Sequence, residues 1–461
     1  MKPLRILFAS DYGMLGALLG LCILFSVITY EEQHPVGQEG ANRLIAQLEK
    51  FDSSSRSVLI AGRSGMEGIV FAETLQSGLI EQGWEVQEVV RGGPPELGRA
   101  LRQAFEGGAD LAVLACERSF ASLPMLENLK KTIPEMKQMK VVYPESYGWP
   151  NFLKVSNLLN IANQIAVIAI LAIGMTLVII TAGIDLSVGS LIAFSAVLCC
   201  WFIKEWMGGA DASFTGMIVA SVLAILGCGI LGLFSGSMVA YFGVPSFVVT
   251  LGMMMVASGF AYMISGGLSI YQIPSAFDWL GRGNGFFGIP NAVVLMVLLY
   301  VFAHFVMSRT TAGRYIYAVG GNPEAARLSG VPVKRILLWV YTVSGALAGL
   351  GGVVMASQFR SGDPKYGLMY ELYVIAAVVV GGTSLAGGRG KVFGTLIGAF
   401  IIAVIQNGMN LTGVQSYTQK VVLGLVLLAA VLLDMLKKRG WKLSSKIEIQ
   451  SSRLSLAFMI K

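Results

Sequence analysis

Long apolar runs, separated by short polar stretches, dominate the pattern of the chain. Most of them reach about 18 residues, the length that a helix needs to cross a bilayer, and they are too continuous for the alternating strands of a barrel. The runs lie at residues 12–30, 165–182, 186–206, 214–234, 247–265, 292–307, 336–355, 372–385, 392–411 and 420–434. This pattern predicts an all-α polytopic membrane protein with about ten transmembrane helices.

Residues 31–150 follow a different pattern, in which short apolar strands alternate with amphipathic helices. The stretches typical of strands are SVLIAG (57–62), WEVQEVV (84–90), ADLAVLA (109–115) and KVVYP (140–144), and those typical of helices are residues 65–83, 94–107 and 122–136. Strands that alternate with helices form a parallel sheet with right-handed crossovers. We therefore expect an α/β domain, inserted after the first helix and large enough for one hydrophobic core.

These patterns divide the chain into four parts. We expect an N-terminal transmembrane helix in residues 1–30, the inserted domain in residues 31–150, a helical membrane domain in residues 151–436 and a basic tail in residues 437–461. The first apolar run follows a basic start but lacks a small-residue cleavage pattern, so it is predicted to be a retained signal anchor. Residues 151–164 are amphipathic and predict an approach to the membrane.

Composition and charge add an orientation. The chain is 55% hydrophobic and 13% charged, with a mean hydropathy of +0.68. Of its net charge of +7, residues 31–150 carry −5, from 12 basic and 17 acidic residues. With ten helices and a cytoplasmic N-terminus, sixteen of the other basic residues lie inside and six outside, in agreement with the positive-inside rule. We expect both termini in the cytoplasm, residues 31–150 outside it, and no binding of nucleic acid.

The chain offers no pattern typical of a catalytic, metal or cofactor site. Its two histidines and five cysteines are scattered, so neither a metal cluster nor a disulfide framework is expected. GGTSLAGGRGKVFGT (381–395) is not a phosphate loop, because Leu385 and Val392 replace the required glycine and hydroxyl residue. GRSGMEG (62–68) lacks the glycine spacing of a dinucleotide site. Both stretches are predicted to be turns, and the chain is expected to bind no cofactor itself.

Two sets of polar residues interrupt apolar runs, where polar groups are costly and often functional. The first is a carboxylate and a hydroxyl in GMTLVIITAGIDLSVGS (174–190), which either cap the following helix or stand beside a substrate path where a helix is broken. The second is three amides in residues 392–411, which either hold helices together or line a polar pathway. The candidates for a translocation pathway are Asp185, Ser187, Gln406, Asn407 and Asn410.

A polar loop, RTTAGRYIYAVGGNPEAARLSGVPVKR (309–335), separates two of the apolar runs. It carries five basic residues, the pair Gly320 and Gly321, and a short helical pattern at residues 323–328. A membrane protein without a catalytic signature of its own is expected to receive force from a partner through such a loop.

Three long motifs resemble the permease subunit of ribose-type bacterial ABC sugar importers, and they occur in the same order. They are GMTLVIITAGIDLSVGS, TTAGRYIYAVGGNPEAARLSGV and AAVVVGGTSLAGGRGKVFGTLIGA. The resemblance covers the first helix and residues 151–436. It implies a homodimeric pore in the bacterial inner membrane, a cytoplasmic ABC ATPase that hydrolyses ATP, and a periplasmic binding protein that delivers a ribose-like pentose or a hexose.

The resemblance also implies that the polar loop contacts the ATPase. The residues to which this role is carried over are Gly321, Asn322, Glu324, Ala325, Arg327, Leu328 and Gly330. The chain departs from the family in residues 31–150, which resemble half of the amino-terminal lobe of a sugar-binding protein. We expect this insert either to dock the binding protein or to hold sugar near the pore. An ion-coupled sugar transporter and a membrane receptor are the alternative functions, and the basic tail is either bound to anionic membrane lipid or disordered.

Overall fold

The structure is a computed structural model that describes residues 13–51, 56–286, 288–432 and 435. The chain divides into two compact units, one formed by Tyr30–Pro150 and the other by Met1–Thr29 together with Asn151–Lys461. We call the second the membrane unit. The predicted basic start and the predicted tail at residues 437–461 lie outside the described residues.

The membrane unit begins with helix α1 (Gly13–Ile28), whose sequence is apolar around its whole circumference. Phe25 is its buried residue, and its ring lies 6.1 Å from the ring of Phe152. Phe25 also packs directly on Gly408, at a position where any larger side chain would overlap with the ring. Helix α1 therefore packs against segments that follow it by more than a hundred residues.

A parallel sheet forms the centre of the Tyr30–Pro150 unit. Its elements are β1 (Tyr30–Gln33), α2 (Gly37–Glu49), β2 (Ser57–Gly62), α3 (Met66–Glu81), β3 (Glu85–Arg91), α4 (Pro94–Glu106), β4 (Val113–Cys116), α5 (Arg118–Ala121), α6 (Pro124–Thr132), β5 (Lys140–Val142) and β6 (Tyr147–Pro150). Strands β2 to β5 are parallel, in the order β3-β2-β4-β5. Strands β1 and β6 pair antiparallel with Tyr30 opposite Pro150, so the chain enters and leaves this unit at one place.

Apolar side chains cover both faces of this sheet. Strand β2 is buried at all six positions, as expected for a central parallel strand with helices on either side. Leu44 of α2 and Phe71 of α3 pack on one face, and Leu101 of α4 packs on the other. The continuous apolar run SVLIAG is the sequence signature of this arrangement.

Some boundaries in this unit differ from the pattern. The strand predicted at residues 109–115 begins later in the structure and extends one residue further, as Val113–Cys116. The predicted helix at residues 122–136 ends at Thr132 and is followed by the 3-10 turn Pro134–Lys137, because proline has no N–H to continue the helix. Helix α2 is not among the predicted elements.

Helices make up most of the membrane unit after Pro150. They are α7 (Val155–Ile180), α8 (Val188–Trp206), α9 (Phe214–Phe242), α10 (Ser246–Ser265), α11 (Asn291–Arg309), α12 (Thr311–Gly321), α13 (Pro323–Leu328), α14 (Val333–Phe359), α15 (Tyr370–Val380), α16 (Val392–Leu411) and α17 (Ser416–Leu432). Among the described residues, seven of the helices are long and apolar enough to cross a membrane. The protein is therefore a polytopic helical membrane protein, as predicted. Helices α1, α15 and α17 are shorter, so the count of ten stays a prediction.

Two predicted segments take a different form. Of residues 151–164, Asn151–Leu153 form a 3-10 turn and those from Val155 onward belong to α7, which runs without a break for 26 residues. The predicted span at residues 372–385 is the 11-residue helix α15, which ends at Val380. Gly382 follows with a φ of +83° and turns the chain there, which glycine tolerates best.

Helix α8 begins near the middle of the membrane unit and not at its edge. Gly174, six residues before the end of α7, packs on the backbone of Ser344, near the midpoint of α14. The hydroxyl of Ser344 also donates to Asp185 at 2.8 Å, in the turn between α7 and α8. A helix rises about 1.5 Å per residue, so Gly174 lies roughly 9 Å before the end of α7. Asp185 contacts the same serine as Gly174, so the chain turns back inward by roughly this distance before α8 begins.

The connection between α14 and α15 also runs back into the membrane unit. Gly362 packs midway along α8, and Gly367 packs on Gly189 at the start of α8. Helix α15 then ends against the start of α16, where Gly381 packs on Gly394. Helices α8 and α15 therefore begin near each other, inside the membrane unit, and run in opposite directions.

Candidate functional site

A cleft of about 490 Å³ opens where α8 and α15 begin. We call it the membrane cleft. The first turns of α8, one face of α10 and the connection before α15 form its walls, and methionine and glycine supply much of the surface. Its polar lining comes from Ser190, Ser258, Tyr262, Lys365, Tyr366 and Glu371. Discontinuous helices whose amino ends meet near the midplane are a common way to build a substrate site in transporters.

Glu371 places a carboxylate in this cleft from the first turn of α15. A β-carbon at position 189 would overlap with its Oε2 atom and with the carbonyl oxygen of Gly367, so only glycine at 189 permits this approach. Among the described residues no ion pair neutralises Glu371. A carboxylate at this depth is costly and is most often functional.

Glu371 is not among the pathway residues that the sequence predicts. It directly precedes the apolar run at residues 372–385, so the bounds of that run place it outside the membrane. A charged residue within one helical turn of such a bound can lie at either depth.

Hydrogen bonds fix the connection that carries this carboxylate. Gly362 exchanges two backbone hydrogen bonds with Ile270, of 2.8 and 3.0 Å. The hydroxyl groups of Ser361 and Tyr366 lie 2.6 Å apart, and Ser269 donates to Asp363 at 2.5 Å. The non-helical backbone at this depth is therefore held by protein groups, as a low-dielectric environment requires.

Asp185 and Ser187 lie together behind the membrane cleft and do not line it. The Asp185 carboxylate is buried and accepts three hydrogen bonds, from the Ser187 N–H at 3.0 Å, the Ser187 hydroxyl at 2.6 Å and the Ser344 hydroxyl at 2.8 Å. Ser187 is the residue before the first turn of α8, but its own side chain accepts no bond from that turn. These contacts join the start of α8 to α14.

The three amides of α16 also lie outside the lining of the membrane cleft. Asn407 and Asn157 exchange two hydrogen bonds, of 3.0 and 2.8 Å, and so join α16 to α7. Asn410 accepts from Gln419 at 2.8 Å, and Gln406 is half-buried. The contacts of Asn407 are those of residues that hold helices together. A place for these amides in a pathway stays a prediction.

The second candidate region lies in the predicted polar loop. We call residues 321–330, which the resemblance predicts to contact the ATPase, the coupling segment. Asn322 caps α13, because its Oδ1 accepts from the backbone N–H groups of Glu324 and Ala325 at 3.0 Å each, and Pro323 occupies the first helical position. Both features favour the start of a helix. Gly330 then ends the segment with a φ of +84°.

The coupling segment presents a defined surface. Glu324 and Arg327 form an ion pair of 2.8 Å with both side chains about 70% exposed, and Leu328 exposes 83% of its surface. Ala326 is the buried residue of α13. Leu328 therefore lies uncovered on a short, capped helix, beside the exposed ion pair.

Close backbone contacts fasten the coupling segment to the turn that leads to α8. A β-carbon at Gly320 would overlap with the carbonyl oxygen of Ile180, the last residue of α7. The N–H of Gly388 donates to that same carbonyl at 2.8 Å, and the Tyr317 hydroxyl donates to the Gly390 carbonyl at 2.7 Å. These contacts join α12, which leads directly into α13, to the end of α7.

Residues 381–391 form the tight turn that the sequence predicts between two helices. Gly387 and Gly388 both have positive φ angles, of +82° and +71°. The turn is closed by a hydrogen bond of 2.9 Å from the Ser384 N–H to the Arg389 carbonyl. Its glycines serve close packing against α12, which agrees with the absence of phosphate-loop spacing. The described residues also contain no group of three or more metal-ligating side chains.

In the part of the chain that the structure describes, seven helices are long and apolar enough to cross a membrane, two opposed helices begin at an internal polar cleft, and a short capped helix is exposed, which together are typical of a membrane transport permease. A family model described as branched-chain amino acid transport system / permease component matches residues 157–431, which is more than half of the chain. The chain belongs to this family. The matched residues lie entirely within the membrane unit and leave out Tyr30–Pro150.

Curated relatives agree with this assignment. The ribose import permease protein RbsC of Escherichia coli K12 is 43% identical over 298 residues, which cover 63% of this chain and 88% of the relative. RbsC of Bacillus subtilis 168 is 40% identical over 289 residues, 62% of this chain and 87% of the relative. The D-allose transport system permease protein AlsC of E. coli K12 is 37% identical over 286 residues, 62% of this chain and 85% of the relative. No solved structure matches. The predicted resemblance to permeases of ribose-type ABC importers is confirmed, and the chain is a transport subunit and not a catalytic enzyme.

Proposed function

We propose that this chain is the membrane subunit of an ATP-driven importer that carries a monosaccharide, a ribose-like pentose or a hexose, across the bacterial inner membrane. Two copies form the pore, a separate ABC ATPase binds and hydrolyses ATP in the cytoplasm, and a periplasmic binding protein delivers the sugar. The names of the relatives, for ribose and D-allose, support the class of substrate. The observation that carries the proposal is the exposed, capped helix α13 with its uncovered Leu328.

The orientation in this proposal puts the coupling segment in the cytoplasm and the Tyr30–Pro150 unit outside. The distribution of basic residues supports it, since sixteen fall inside and six outside when both termini are cytoplasmic. The ATPase then reaches α13 directly. The sugar reaches the membrane cleft from the opposite side.

Transport follows from the contacts that join α13 to the membrane cleft. The ATPase binds the coupling segment differently in its two nucleotide states, and this difference in binding free energy biases the two arrangements of the permease. A shift of α13 moves the end of α7 through Gly320 and Ile180. The next turn carries Asp185, which is bonded to α14, and leads into α8. The start of α8 thereby changes its position against Glu371 and opens the cleft to alternate sides.

The membrane cleft holds the sugar partway along this path. Ser190, Tyr262 and Glu371 supply hydroxyl and carboxylate oxygens for the hydroxyl groups of the sugar, while methionine side chains cover its apolar faces. Asp185 and Ser187 act on the pathway by fixing the start of α8. The amides of α16, Gln406, Asn407 and Asn410, act by holding that helix in place.

The substitution Leu328→Asp tests the contact with the ATPase. A buried leucine contributes about 1.5–3 kcal/mol, so losing it reduces the binding constant roughly ten-fold or more. We expect the co-expressed ABC ATPase of the same bacterium to co-purify with the wild-type chain and to be lost from this variant. The matched control is Met66→Asp, which changes an 80% exposed side chain in the Tyr30–Pro150 unit. Equal amounts of ATPase on both variants would contradict the proposal.

The ion pair of α13 gives a second test of the same surface. Glu324→Ala or Arg327→Ala removes an exposed pair that stabilises the chain by about 0.5 kcal/mol or less. We therefore expect each variant to reach the membrane in normal amounts and yet to show lower sugar uptake. Normal uptake would remove both residues from the coupling role.

A further inference from the structure

The Tyr30–Pro150 unit has a cleft of its own, with a volume of about 510 Å³. We call it the sheet cleft. It lies at the carboxyl ends of β2 and β4, and is lined by the turn Arg63–Gly68, by residues 117–119 and by His34 with its neighbours. All of its lining residues belong to the Tyr30–Pro150 unit, so it is independent of the membrane cleft.

The topology of the sheet favours a ligand at this place. Strand β2 is the first of the four parallel strands, with β3 beside it on one edge and β4 on the other. The two crossovers that leave β2 and β3 therefore proceed in opposite directions along the sheet. In open parallel sheets, ligands bind outside the carboxyl ends of the strands where the strand order reverses. The sheet cleft lies at that reversal.

The floor of the sheet cleft contains a buried carboxylate. Glu117 is 8% exposed, and its Oε2 atom accepts a hydrogen bond of 3.2 Å from the backbone N–H of Arg63. This N–H belongs to the turn after β2, the position at which a nucleotide-binding turn holds phosphate. A carboxylate already occupies it, and Glu67 adds a second negative charge in the first turn of α3. The turn is therefore unsuited to an anion.

The glycines of GRSGMEG have a structural explanation in the same turn. A β-carbon at Gly62 would overlap with the carbonyl oxygen of Gly68, and one at Gly68 would overlap with the backbone of Arg63. They allow the turn to fold tightly onto the start of α3. Neither glycine is needed to admit a phosphate.

The rim of the sheet cleft supplies donors. Arg118 lies with Nη1 2.9 Å from Nδ1 of His34 and 3.5 Å from Oε1 of Glu32. The Ser146 hydroxyl donates to the same Glu32 carboxylate, and this bond, followed by the charge of Arg118, lowers the pKa of Glu32. These contacts hold the Arg118 guanidinium at the edge of the cleft, opposite the acidic floor.

The lining contains two positively charged side chains, Arg63 and Arg118, and two negatively charged ones. The latter are Glu67 and Glu117, so the formal charges of these four residues sum to zero. Hydroxyl groups of serine lie among these charged groups, and the aliphatic lining is limited to the region of Pro35 and Val36. An uncharged ligand suits a balanced site. A vicinal pair of hydroxyls can donate to a carboxylate and accept from a guanidinium at once, and such charge-assisted bonds are the strong ones.

We propose that the sheet cleft binds a small, uncharged, polyhydroxylated molecule, with Glu117 as the main acceptor and Arg118 as the main donor. The permease thus carries a ligand site outside its transport pathway, in the part of the chain that the family model does not match. The site is open on one side, so it binds and releases its ligand readily.

The test is amide hydrogen exchange on the full chain in detergent micelles, read in peptides that cover residues 57–70 and 113–122. The probes are D-ribose, D-allose and myo-inositol as neutral polyols, with inorganic phosphate and glucose 6-phosphate as anionic comparators. We expect at least one neutral polyol to slow exchange in both peptides saturably, and the anions to have no comparable effect. Glu117→Gln keeps an oxygen for the Arg63 N–H but loses the charge, and it raises the half-saturating concentration about ten-fold.

Matched variants separate this proposal from folding defects and from the transport proposal. Glu106→Gln, at the exposed end of α4, is the control and leaves the protection unchanged. Arg118→Ala removes the main donor, an exposed side chain, and is likewise expected to raise the half-saturating concentration of the polyol. Glu371→Gln impairs uptake but leaves the protection of both peptides intact. No protection by any neutral polyol, protection that both cleft variants retain, or stronger protection by the anions would each overturn the proposal.

Discussion

The membrane cleft and the sheet cleft have similar volumes, about 490 and 510 Å³, but they are built from different groups. In the membrane unit, glycines bring backbone together with one carboxylate, Glu371, and one ammonium group, Lys365, where two helices begin. In the Tyr30–Pro150 unit, two carboxylates and two guanidinium groups meet at the end of a sheet. Charge is expensive within a bilayer, so the first cleft has fewer charged groups and more close backbone contacts, while the second uses four charged groups at its surface.

The two clefts also differ in how they are connected to the rest of the chain. The membrane cleft is fastened through α8, α7 and Gly320 to the exposed coupling segment. The sheet cleft is formed by two turns after parallel strands, within one compact unit. We infer that the first changes shape during transport, whereas the second is a preformed binding site.

The largest effect is expected from filling the close approach at Gly189. In Gly189→Val the new side chain overlaps with the Glu371 carboxylate and the Gly367 carbonyl, so the membrane cleft loses its shape and sugar uptake is abolished. Gly20→Val, in α1 where nothing lies within 4 Å, is the matched control. Uptake is measured in cells at equal membrane levels of both variants. Substantial uptake by Gly189→Val would exclude the membrane cleft from the pathway.

Next in size is the effect of the last close approach of α12. Gly320→Ala forces a methyl group onto the Ile180 carbonyl, whereas a β-carbon at Gly252, in α10, meets nothing within 4 Å. Overpacking of this kind costs about 1–3 kcal/mol. We expect Gly320→Ala to reduce ATP-driven uptake roughly ten-fold through this cost, and the control Gly252→Ala to keep most of it. Equal uptake by the two variants would break the link between the coupling segment and α7.

A smaller effect is expected at Asp185, where two substitutions distinguish a structural role of the carboxylate from a direct role in transport. Asp185→Ala leaves two buried serine hydroxyls without their acceptor and lowers the free energy of unfolding by about 1–3 kcal/mol. Asp185→Asn keeps an oxygen for Ser187 and offers an amide N–H from which the Ser344 hydroxyl can accept, so it is expected to retain most stability and uptake. Thermal unfolding of the purified variants and uptake in cells check both points. An asparagine variant that is stable but inactive would give Asp185 a direct role in the pathway.

The smallest expected effect is a lack of reaction at Cys116. Burial, with a further contribution from the Glu117 charge, raises the pKa of this thiol to about 12. At pH 8 the thiol is therefore almost fully protonated, and a maleimide is expected not to label it in the folded chain. Met66→Cys, at an exposed position, is expected to react within minutes. Rapid labelling of Cys116 would show that the floor of the sheet cleft opens to solvent.

Local patterns predicted several elements well. The alternation in residues 57–142 corresponds to strands β2 to β5 with helices between them, since side-chain periodicity reflects which faces are buried. The helical pattern at residues 323–328 coincides with α13, because Asn322 and Pro323 mark a helix start in the sequence itself.

The position of an element within the membrane could not be predicted in this way. An apolar run has the same sequence whether its helix begins at the membrane surface or at the middle. The polar residues in 174–190 predict either a cap or a broken helix before α8, and no local signal marks α15, so these internal starts are not determined locally. They depend on contacts between distant segments, such as Gly174 with Ser344 and Gly367 with Gly189. For the same reason the sequence does not predict Glu371 as a pathway residue, and the place of Asp185 in a pathway stays a prediction.

The central claim, transport driven by a separate ATPase, is tested most directly by uptake in proteoliposomes. The chain and its ABC ATPase are reconstituted together, the binding protein is added outside, and the entry of radiolabelled D-ribose or D-allose is followed. We predict that uptake requires hydrolysable ATP at the face of the coupling segment, persists with a protonophore, and disappears in Leu328→Asp. Uptake that needs no ATP and collapses with the protonophore would contradict the account, and would identify an ion-coupled transporter.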